Sequence, residues 1–428
     1  MGVIDRHRVS PWPALPMDEA YRVIEDEATL VTTKRVAVWE VAIGDVVAED
    51  ICSAYNVPEV RTSIKDGYAV LASDPPGKRT VIGFSTAGSP CNKTINPGEC
   101  VRVSTGAFVP DSATGVVMVE RTKLLEHDGS EELVIEVEGN TTDGQDIRLP
   151  GSDTSLGDLL LEKGAVVGSA ELGILLASGV QLVSIYEKPT VAVMSTGNEV
   201  CEAVTQRVPV GHIRDTNRPQ LLALFRQTGA NVLDMRIVED EEDTLVKAIS
   251  TALSVCSVLI SSGGVSMGEK DLLKTVLANK FGFKIHFGRV FMKPGLPTTF
   301  ATGEFNGQKK LVFALPGNPV SSWVCAQLFA VPAVRKLRGE TRFRHTKMAV
   351  KLADTVRLDP RPEFRRAFIE RNEDGTGLPL ATTTGNQISS RLVSLRGAQL
   401  LLELPGKTDG LTEIPAGSIV EGLVIGRL

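Results

Sequence analysis

The sequence predicts a multidomain α/β protein. It should have a central parallel α/β sheet domain covered by helices, an N-terminal helix and β-rich region ahead of it, and a small C-terminal β-barrel. Three observations lead there. From Lys188-Pro189 to about Arg338, apolar strands (VAVMS, NVLDMRIV, VLISS, LVFAL) alternate with helical stretches (RPQLLALFRQTG, EEDTLVKAISTAL, KDLLKTVLANK, SSWVCAQLFAVPAVRKL), the pattern of a parallel sheet with helices on its faces. Before that, short alternating runs broken by Gly, Pro and Asp, such as DGYAVLASDPPGKRTVIGF and INPGECVRVSTGAFVPDSATGVVMVE, read as strands and turns to about Gly151. Beyond about Thr346, the runs KMAVKLADTVRL, RRAFIERN, AQLLLELP and SIVEGLVIGRL are short, β-like and separated by turn residues, which fits a small barrel.

Two helices frame the β-rich region. MDEAYRVIEDEATLVT, from Met17 to about Thr32, places apolar residues at helical spacing, with Asp18 and Glu19 near the favourable N-terminal end. SAELGILLASGV, from Ser169 to Val180, reads as a helix ending at Gly179.

Composition narrows the function. The chain has 428 residues, 42% hydrophobic and 23% charged, so it is globular and divides into two to four units of ~100–200 residues each. A formal net charge of -6 with no basic run argues against a nucleic-acid surface. An anionic ligand must therefore be drawn by a local cluster of Lys, Arg and backbone N–H groups. The six cysteines, Cys52, Cys91, Cys100, Cys201, Cys256 and Cys325, show no CxxC pair and no histidine at zinc-finger spacing, which predicts reduced thiols and a cytosolic chain. MGVIDRHR lacks the apolar region of a secretory signal, and no segment reaches the ~18 apolar residues of a membrane span.

Three strands of the α/β unit end in loops suited to anions, and ligands of open α/β sheets sit beyond the carboxyl ends of the strands. In VAVMSTGNEV, Ser195, Thr196 and Gly197 turn the chain and Glu199 offers a carboxylate. In VLISSGGVSMGEKD, Ser262 ends the strand, Gly263 and Gly264 let backbone N–H groups approach a phosphate, Ser266 adds a hydroxyl, and Asp271 opens a helix. In LVFALPGNPVSSW, Pro316, Gly317, Asn318 and Pro319 form a rigid turn before a long helix whose first turn holds Ser321. Singly, such turns are common packing devices; three at equivalent ends of one sheet make a site. Between the second and third lies GRVFMKPGLPTTFA, where Lys293 sits in a turn stiffened by Pro294 and Pro297 around Gly295, as an oxyanion hook or as an ordinary surface turn.

Asp66, Glu199, Asp215, Asp240 and Asp271 each stand beside a turn or helix start, where a carboxylate often only caps a helix. Clustered beside phosphate-binding loops, they would suit a magnesium-dependent attack on a phosphoanhydride. No GxxxxGK[ST] or HExxH is present, which disfavours a conventional ATPase or a zincin, and none of the five histidines stands beside an evident nucleophile, which disfavours a hydrolase triad. The residues by themselves predict a metal-dependent enzyme acting on an anionic, nucleotide-like ligand.

The motifs SIKDGYAV, RVSTGAFVPDSATGVVMVE, STGNE, IRDTNR, SSGGVSMGEKD, MKPGLPTTFA, LPGNPVS and GNQISSRLVSLR, in that order, resemble the molybdenum insertase (molybdopterin molybdotransferase) family, of the gephyrin E-domain type. The resemblance implies an elongated homodimer of four-part subunits. Residues 1–48 and 152–188 would form an elongated N-terminal linker and helical domain, 49–151 an inserted β-rich domain, 189–340 the α/β molybdopterin-binding domain and 341–428 the C-terminal β-barrel. It implies a reaction in which adenylylated molybdopterin is cleaved to AMP, with Mg2+, while molybdate enters the dithiolene. The upstream partner would be a molybdopterin adenylyltransferase.

By the same resemblance, Asp271 and Ser266 belong to the nucleotide and metal site, with Asp271 the leading catalytic residue and Glu199 a second metal ligand. Asp66, Thr105, Glu199 and Asp240 match positions linked to activity, some of them reaching a site across the dimer. Lys293, Pro294, Pro297, Ser321, Arg366 and Ser394 match the molybdate site. Three positions depart from plant and bacterial members, which commonly read KPGKP, STGDE and TGHQ: Leu296, Asn198 and Asn386 stand there here, so one oxyanion-site lysine is missing. In VEDEED, Glu241 replaces the usual second aspartate. The resemblance also offers a rival function, a non-catalytic scaffold gripping an aromatic-anchored receptor peptide at Asp18, Tyr21, Phe364 and Pro405. A generic sugar-nucleotide or phosphate-binding enzyme is a third reading.

Overall fold

The structure, a computed structural model, describes residues 12–29, 32–91, 93–177, 179–264, 272–373, 375 and 377–427. Its centre is a six-stranded sheet in the order Asn231–Val238, Thr190–Thr196, Val258–Ser262, Gln308–Leu315, Thr299–Phe305, Lys284–Phe287. The first four strands are parallel, as the alternation of strand and helix requires. Thr299–Phe305 is antiparallel to both its neighbours, Gln308–Leu315 and Lys284–Phe287, so the sheet is mixed and not wholly parallel. A hairpin is the reason: Phe305 pairs Gln308 across Asn306 and Gly307, whose φ angles of 53° and 71° make the two-residue turn that matches strand twist. The Asn-Gly dipeptide was the available sequence signal.

Both faces of this sheet are covered. Val191 and Val193 point to one side, against the Asn217–Gln227 helix and the 319–337 helical segment; Ala192 and Met194 point to the other, against Leu245, Ile249, Leu273 and Val276 of the Glu242–Val255 and Leu272–Phe281 helices. Period-two alternation with both parities apolar is what a doubly covered strand needs. The 319–337 segment is not one regular helix. Ala326–Ala330 is a π turn between helical Pro319–Cys325 and Val331–Leu337, and Pro332 removes the N–H that would have bonded the carbonyl of Leu328.

The first helix spans Met17–Glu27, shorter than the pattern to Thr32 suggests. Its last turn carries no basic residue, and acids at a helix C-terminus oppose the macrodipole. Those acids instead tie the helix down: Glu25 pairs with Arg344 at 2.7 Å and Glu27 with Lys309 at 2.6 Å. Ala20 and Ile24 join the same core as Leu401 and Leu423 of the barrel, so this helix bridges the sheet domain and the C-terminal unit.

The second helix, Ser169–Ala177, packs with Val38, Val47, Ile51, Leu161 and Val183 in a small core of its own. Here Thr33–Ala37 pairs antiparallel with Leu182–Tyr186. Two short ladders, Ile51–Cys52 with Leu159–Leu161 and Thr62–Ser63 with Ile147–Arg148, lead out to and back from a separate six-stranded sheet formed by residues between 67 and 137. The C-terminal region is a closed five-stranded barrel of Lys347–Leu352, Leu380–Thr383, Glu363–Glu370, Leu400–Leu404 and Ile419–Val424. Among the described residues no helix is long and apolar enough to cross a membrane.

Candidate active site

Register decides where the site begins. Ser195 pairs Ser262 and Ser262 pairs Leu315, so the loops after these three parallel strands start at one level. They then touch. A Cβ built on Gly263, whose φ is +93°, would lie 2.2 Å from the carbonyl oxygen of Thr196, so only glycine lets the second loop cross the first. At Gly264 the same construction meets Thr196 Oγ1 at 2.7 Å and Asp240 Oδ1 at 3.9 Å, and Gly317 lies within van der Waals reach of Gly263. The glycines thus open a cradle rimmed by a hydroxyl and a carboxylate. The Thr196 hydroxyl is buried and has no hydrogen-bond partner among the described residues, which suits it to a ligand oxygen.

A side chain that sequence reasoning passed over holds the cradle together. Asn217, in the first turn of its helix, donates to Ser262 Oγ at 2.8 Å and to the carbonyl of Gly317 at 2.7 Å. Ser322 donates to Ser262 Oγ at 3.1 Å. Asn217 stands in IRDTNR, and an amide with two donors at a helix start facing two Gly-rich loops was the signal for it.

Asp215 has a different role from an open ligand. It is buried; its carboxylate accepts from Ser195 Oγ at 2.9 Å and from the Arg218 backbone and guanidinium at 3.1 and 2.7 Å. Arg218 also reaches Asp234 and Glu202. The network locks the STGNE loop to the helix beginning at Asn217. Glu199 is exposed, its carboxylate turned back over Gly197, while Asn198 Oδ1 accepts from the Asp240 backbone at 3.0 Å. Asp271 and Ser266 lie outside the described residues. Among the described residues no group of three His, Cys, Asp or Glu is arranged to hold a metal.

Asp66 and Thr105 come together on the separate six-stranded unit: Asp66 Oδ1 accepts from the Thr105 backbone at 2.9 Å, and both residues are exposed. Neither has a hydrogen bond or ion pair to the cradle loops among the described residues.

The proposed oxyanion residues form a second cluster where the sheet domain meets the barrel. Lys293 donates its backbone N–H to Pro362 and accepts from Phe364, each at 2.8 Å, so the KPGLP turn lies along the strand that carries Arg366. Gly295, with φ +107°, presses on Cys325: a Cβ there would be 2.1 Å from Sγ. Thr298 Oγ1 donates to the Gly295 carbonyl at 2.6 Å. Burial pushes the Cys325 thiol up to about 12, so it acts as a neutral packing group. Lys293 Nζ lies 3.1 Å from Asp359 and 3.4 Å from Glu363. Arg366 is fully buried, donates to Ser394 Oγ at 3.1 Å, and has its pKa lowered to about 10 by burial, with Nε and one terminal nitrogen lacking partners among the described residues. Ser321 is buried in the helix start beside the 384–396 loop, whose Ser389 accepts from the Val320 backbone and the Asn318 amide.

Of the four residues expected to grip a peptide, Asp18 and Tyr21 line a cleft with Leu328, Pro332, Arg344 and Lys347. Phe364 and Pro405 do not. Phe364 lies on the face of its strand opposite to Ala367 and Ile369 of the barrel interior and is buried in the core shared with the sheet domain, and Pro405 is exposed just beyond a barrel strand.

A glycine cradle at the ends of the parallel strands, flanked by a barrel carrying a buried arginine, defines a multidomain α/β protein with a site suited to an anionic ligand. Residues 15–179 match the model of the MoeA N-terminal region (domains I and II), 192–336 that of a probable molybdopterin binding domain, and 349–425 that of the MoeA C-terminal region (domain IV). The chain is 37% identical to the molybdenum cofactor synthesis protein cinnamon of Drosophila melanogaster, over 98% of its own length and 67% of the relative's. Gephyrin of Dictyostelium discoideum is 35% identical, and this chain spans 64% of it. A molybdopterin molybdenumtransferase of Bacillus subtilis is 32% identical over 96% of this chain and 94% of the relative. The crystal structure of a molybdopterin biosynthesis MoeA protein from Pyrococcus horikosii superposes with a TM-score of 0.79 at 27% identity, covering 96% and 99% of the two chains. The chain belongs to the MoeA family of molybdenum cofactor biosynthesis proteins.

Proposed function

We propose that the chain is a molybdopterin molybdotransferase, which takes adenylylated molybdopterin and molybdate, releases AMP and delivers molybdenum cofactor. The observation that carries this reading is the convergence of the three strand-end loops, stapled by Asn217, next to a cationic cluster at the barrel. The cradle suits the phosphates: Gly263 and Gly264 admit them closely, and Thr196 and Ser262 supply hydroxyls. Lys293, Arg366 and Ser394, with the turn prolines Pro294 and Pro297 and the helix-start Ser321, suit a tetrahedral dianion.

Magnesium, which the carboxylates Asp271 and Glu199 would hold, with Asp240 at the rim, neutralises charge on the phosphoanhydride when bound. The chain's own part is to orient the phosphates on the cradle, hold the oxyanion beside it and keep the reacting groups together. Asp66 and Thr105, paired on the outlying unit, would complete the site of a partner subunit. A homodimer is supported by an exposed apolar set on the first unit, including Trp39, Ile43, Leu176 and Leu182. The four-part division, with 49–151 inserted between 1–48 and 152–188, is supported by the two short ladders that lead out and back. A cytosolic setting is supported by six unpaired cysteines.

The test is anaerobic incubation with adenylylated molybdopterin, magnesium and molybdate, following AMP release and reconstitution of a cofactor-free molybdoenzyme. Turnover by the wild type and none by Asp271→Ala supports the reading. A folded protein with no turnover favours the scaffold instead, for which the cleft at Asp18 and Tyr21 is the specific observation.

A further inference from the structure

The oxyanion cluster already contains an anion of its own. Asp359 puts one carboxylate oxygen 3.1 Å from Lys293 Nζ and the other 3.2 Å from Arg361 Nε, and takes the Arg361 backbone N–H at 3.1 Å. Burial pushes its pKa up, but the Arg361 backbone, Lys293 and Arg361 outweigh this and hold it below the usual carboxylate range. Arg361 is anchored to the same turn, donating from Nη1 to the carbonyl of Met292 at 3.3 Å. The three side chains remain partly open to solvent, at 31%, 18% and 31% for Lys293, Asp359 and Arg361. Glu363 is different: at 1% exposure it is sealed between Lys293 and Arg365, at 3.4 and 3.1 Å.

The ion pairs therefore join three cations, Lys293, Arg361 and Arg365, to two carboxylates, Asp359 and Glu363. With Asp359 displaced, the surplus rises from one positive charge to two, the charge of one tetrahedral dianion. Glu363 is buried, whereas Asp359 is partly open to solvent and bridges Lys293 and Arg361 as an oxyanion would bridge them.

We propose that Asp359 is a resident counter-anion that an incoming oxyanion displaces from Lys293 and Arg361, that Arg361 is a cation of the oxyanion site, and that this exchange selects dianions over monoanions. The inference rests on the reading of Lys293 as a molybdate ligand. A dianion gains more from the two cations than the carboxylate it replaces, whereas a monoanion of the same shape only matches it. Asp359 positions the two cations before an oxyanion arrives and sets the charge that the oxyanion must bring.

The experiment is direct binding of molybdate and of perrhenate, a tetrahedral monoanion, to the full chain by calorimetry, with thermal melts reporting that each variant is folded. Wild type should bind molybdate and discriminate against perrhenate. Asp359→Asn should bind perrhenate at least about tenfold more tightly and shrink the molybdate-to-perrhenate ratio by about tenfold, while Asp359→Glu retains the ratio. Arg361→Ala should weaken molybdate binding by about tenfold. An unchanged ratio in folded Asp359→Asn overturns the role of Asp359, and unchanged molybdate affinity in Arg361→Ala overturns that of Arg361. Unchanged molybdate affinity in Lys293→Ala would instead overturn the oxyanion-site reading beneath both.

Discussion

The side-chain amide of Asn217 donates to Ser262 Oγ at 2.8 Å, joining a helix start to the end of a strand 45 residues later. Its second contact, to the Gly317 carbonyl, makes one residue the staple of two glycine loops. Asn217→Ala should leave Ser262 and Gly317 without that donor, at a cost of about 1–3 kcal/mol, and let the loops drift. AMP release should fall by about tenfold to a hundredfold, since small misplacements of reacting groups are expensive. Single-turnover AMP release alongside urea unfolding checks this, and an unchanged rate contradicts the stapling role.

Gly263→Ala tests the crossing of the first two loops. An alanine at φ +93° is strained, and its Cβ would press into the Thr196 carbonyl at 2.2 Å. The expected result is a folded protein whose AMP release drops by about a hundredfold. Circular dichroism with the same assay separates lost activity from lost fold.

Arg218→Leu tests the network beneath the STGNE loop. Asp215 would be left buried with its guanidinium partner gone, and removing one partner of a buried pair costs about 3–5 kcal/mol. Asp234 and Glu202 are more exposed and add little. A guanidinium denaturation midpoint that does not move would show that the network is dispensable.

His345 predicts an acid limb in stability. Burial, with Arg335 nearby, lowers it to about 4, outweighing the carbonyls of Gln327 and Val424 that face its ring nitrogens. An ordinary histidine titrates near 6.5, so between about pH 6.5 and 4 the unfolded chain binds more protons than the folded one. Stability from this residue is present above that window and is lost as pH falls through it, by about 3 kcal/mol at most. Unfolding free energies measured from pH 7 to 4 should slope less steeply in His345→Gln.

What the sequence made legible was local. Glycine and serine punctuation after apolar strands located all three loops of the cradle, because a chain that must turn at a strand end declares it within a few residues. The antiparallel pair at the sheet edge escaped because an apolar run does not say which way its neighbour points; Asn306-Gly307 said so, and was the residue-level clue. The counter-anion could not be foreseen at all. Asp359 and Lys293 belong to different structural units, and no periodicity links residues that meet only when a barrel docks against a sheet domain. Phe364 shows the same limit: the resemblance gives this aromatic residue to a cleft, while the docking of the barrel against the sheet domain buries it in their shared core.

The pairing of Thr33–Ala37 with Leu182–Tyr186 has a consequence for the order in which the molecule is made. Ala37 meets Leu182, so the earlier strand leaves the ribosome with its partner still 145 residues away. At about 5–20 residues per second, it waits roughly 7–30 seconds with an open edge. During that interval the whole outlying six-stranded unit is synthesised, and it can fold on its ladder stalk before the strand that anchors it has found its neighbour. Nascent chains halted near residue 190, with Leu182–Tyr186 still inside the ribosome, should therefore protect that unit from protease while leaving 33–37 open to cleavage.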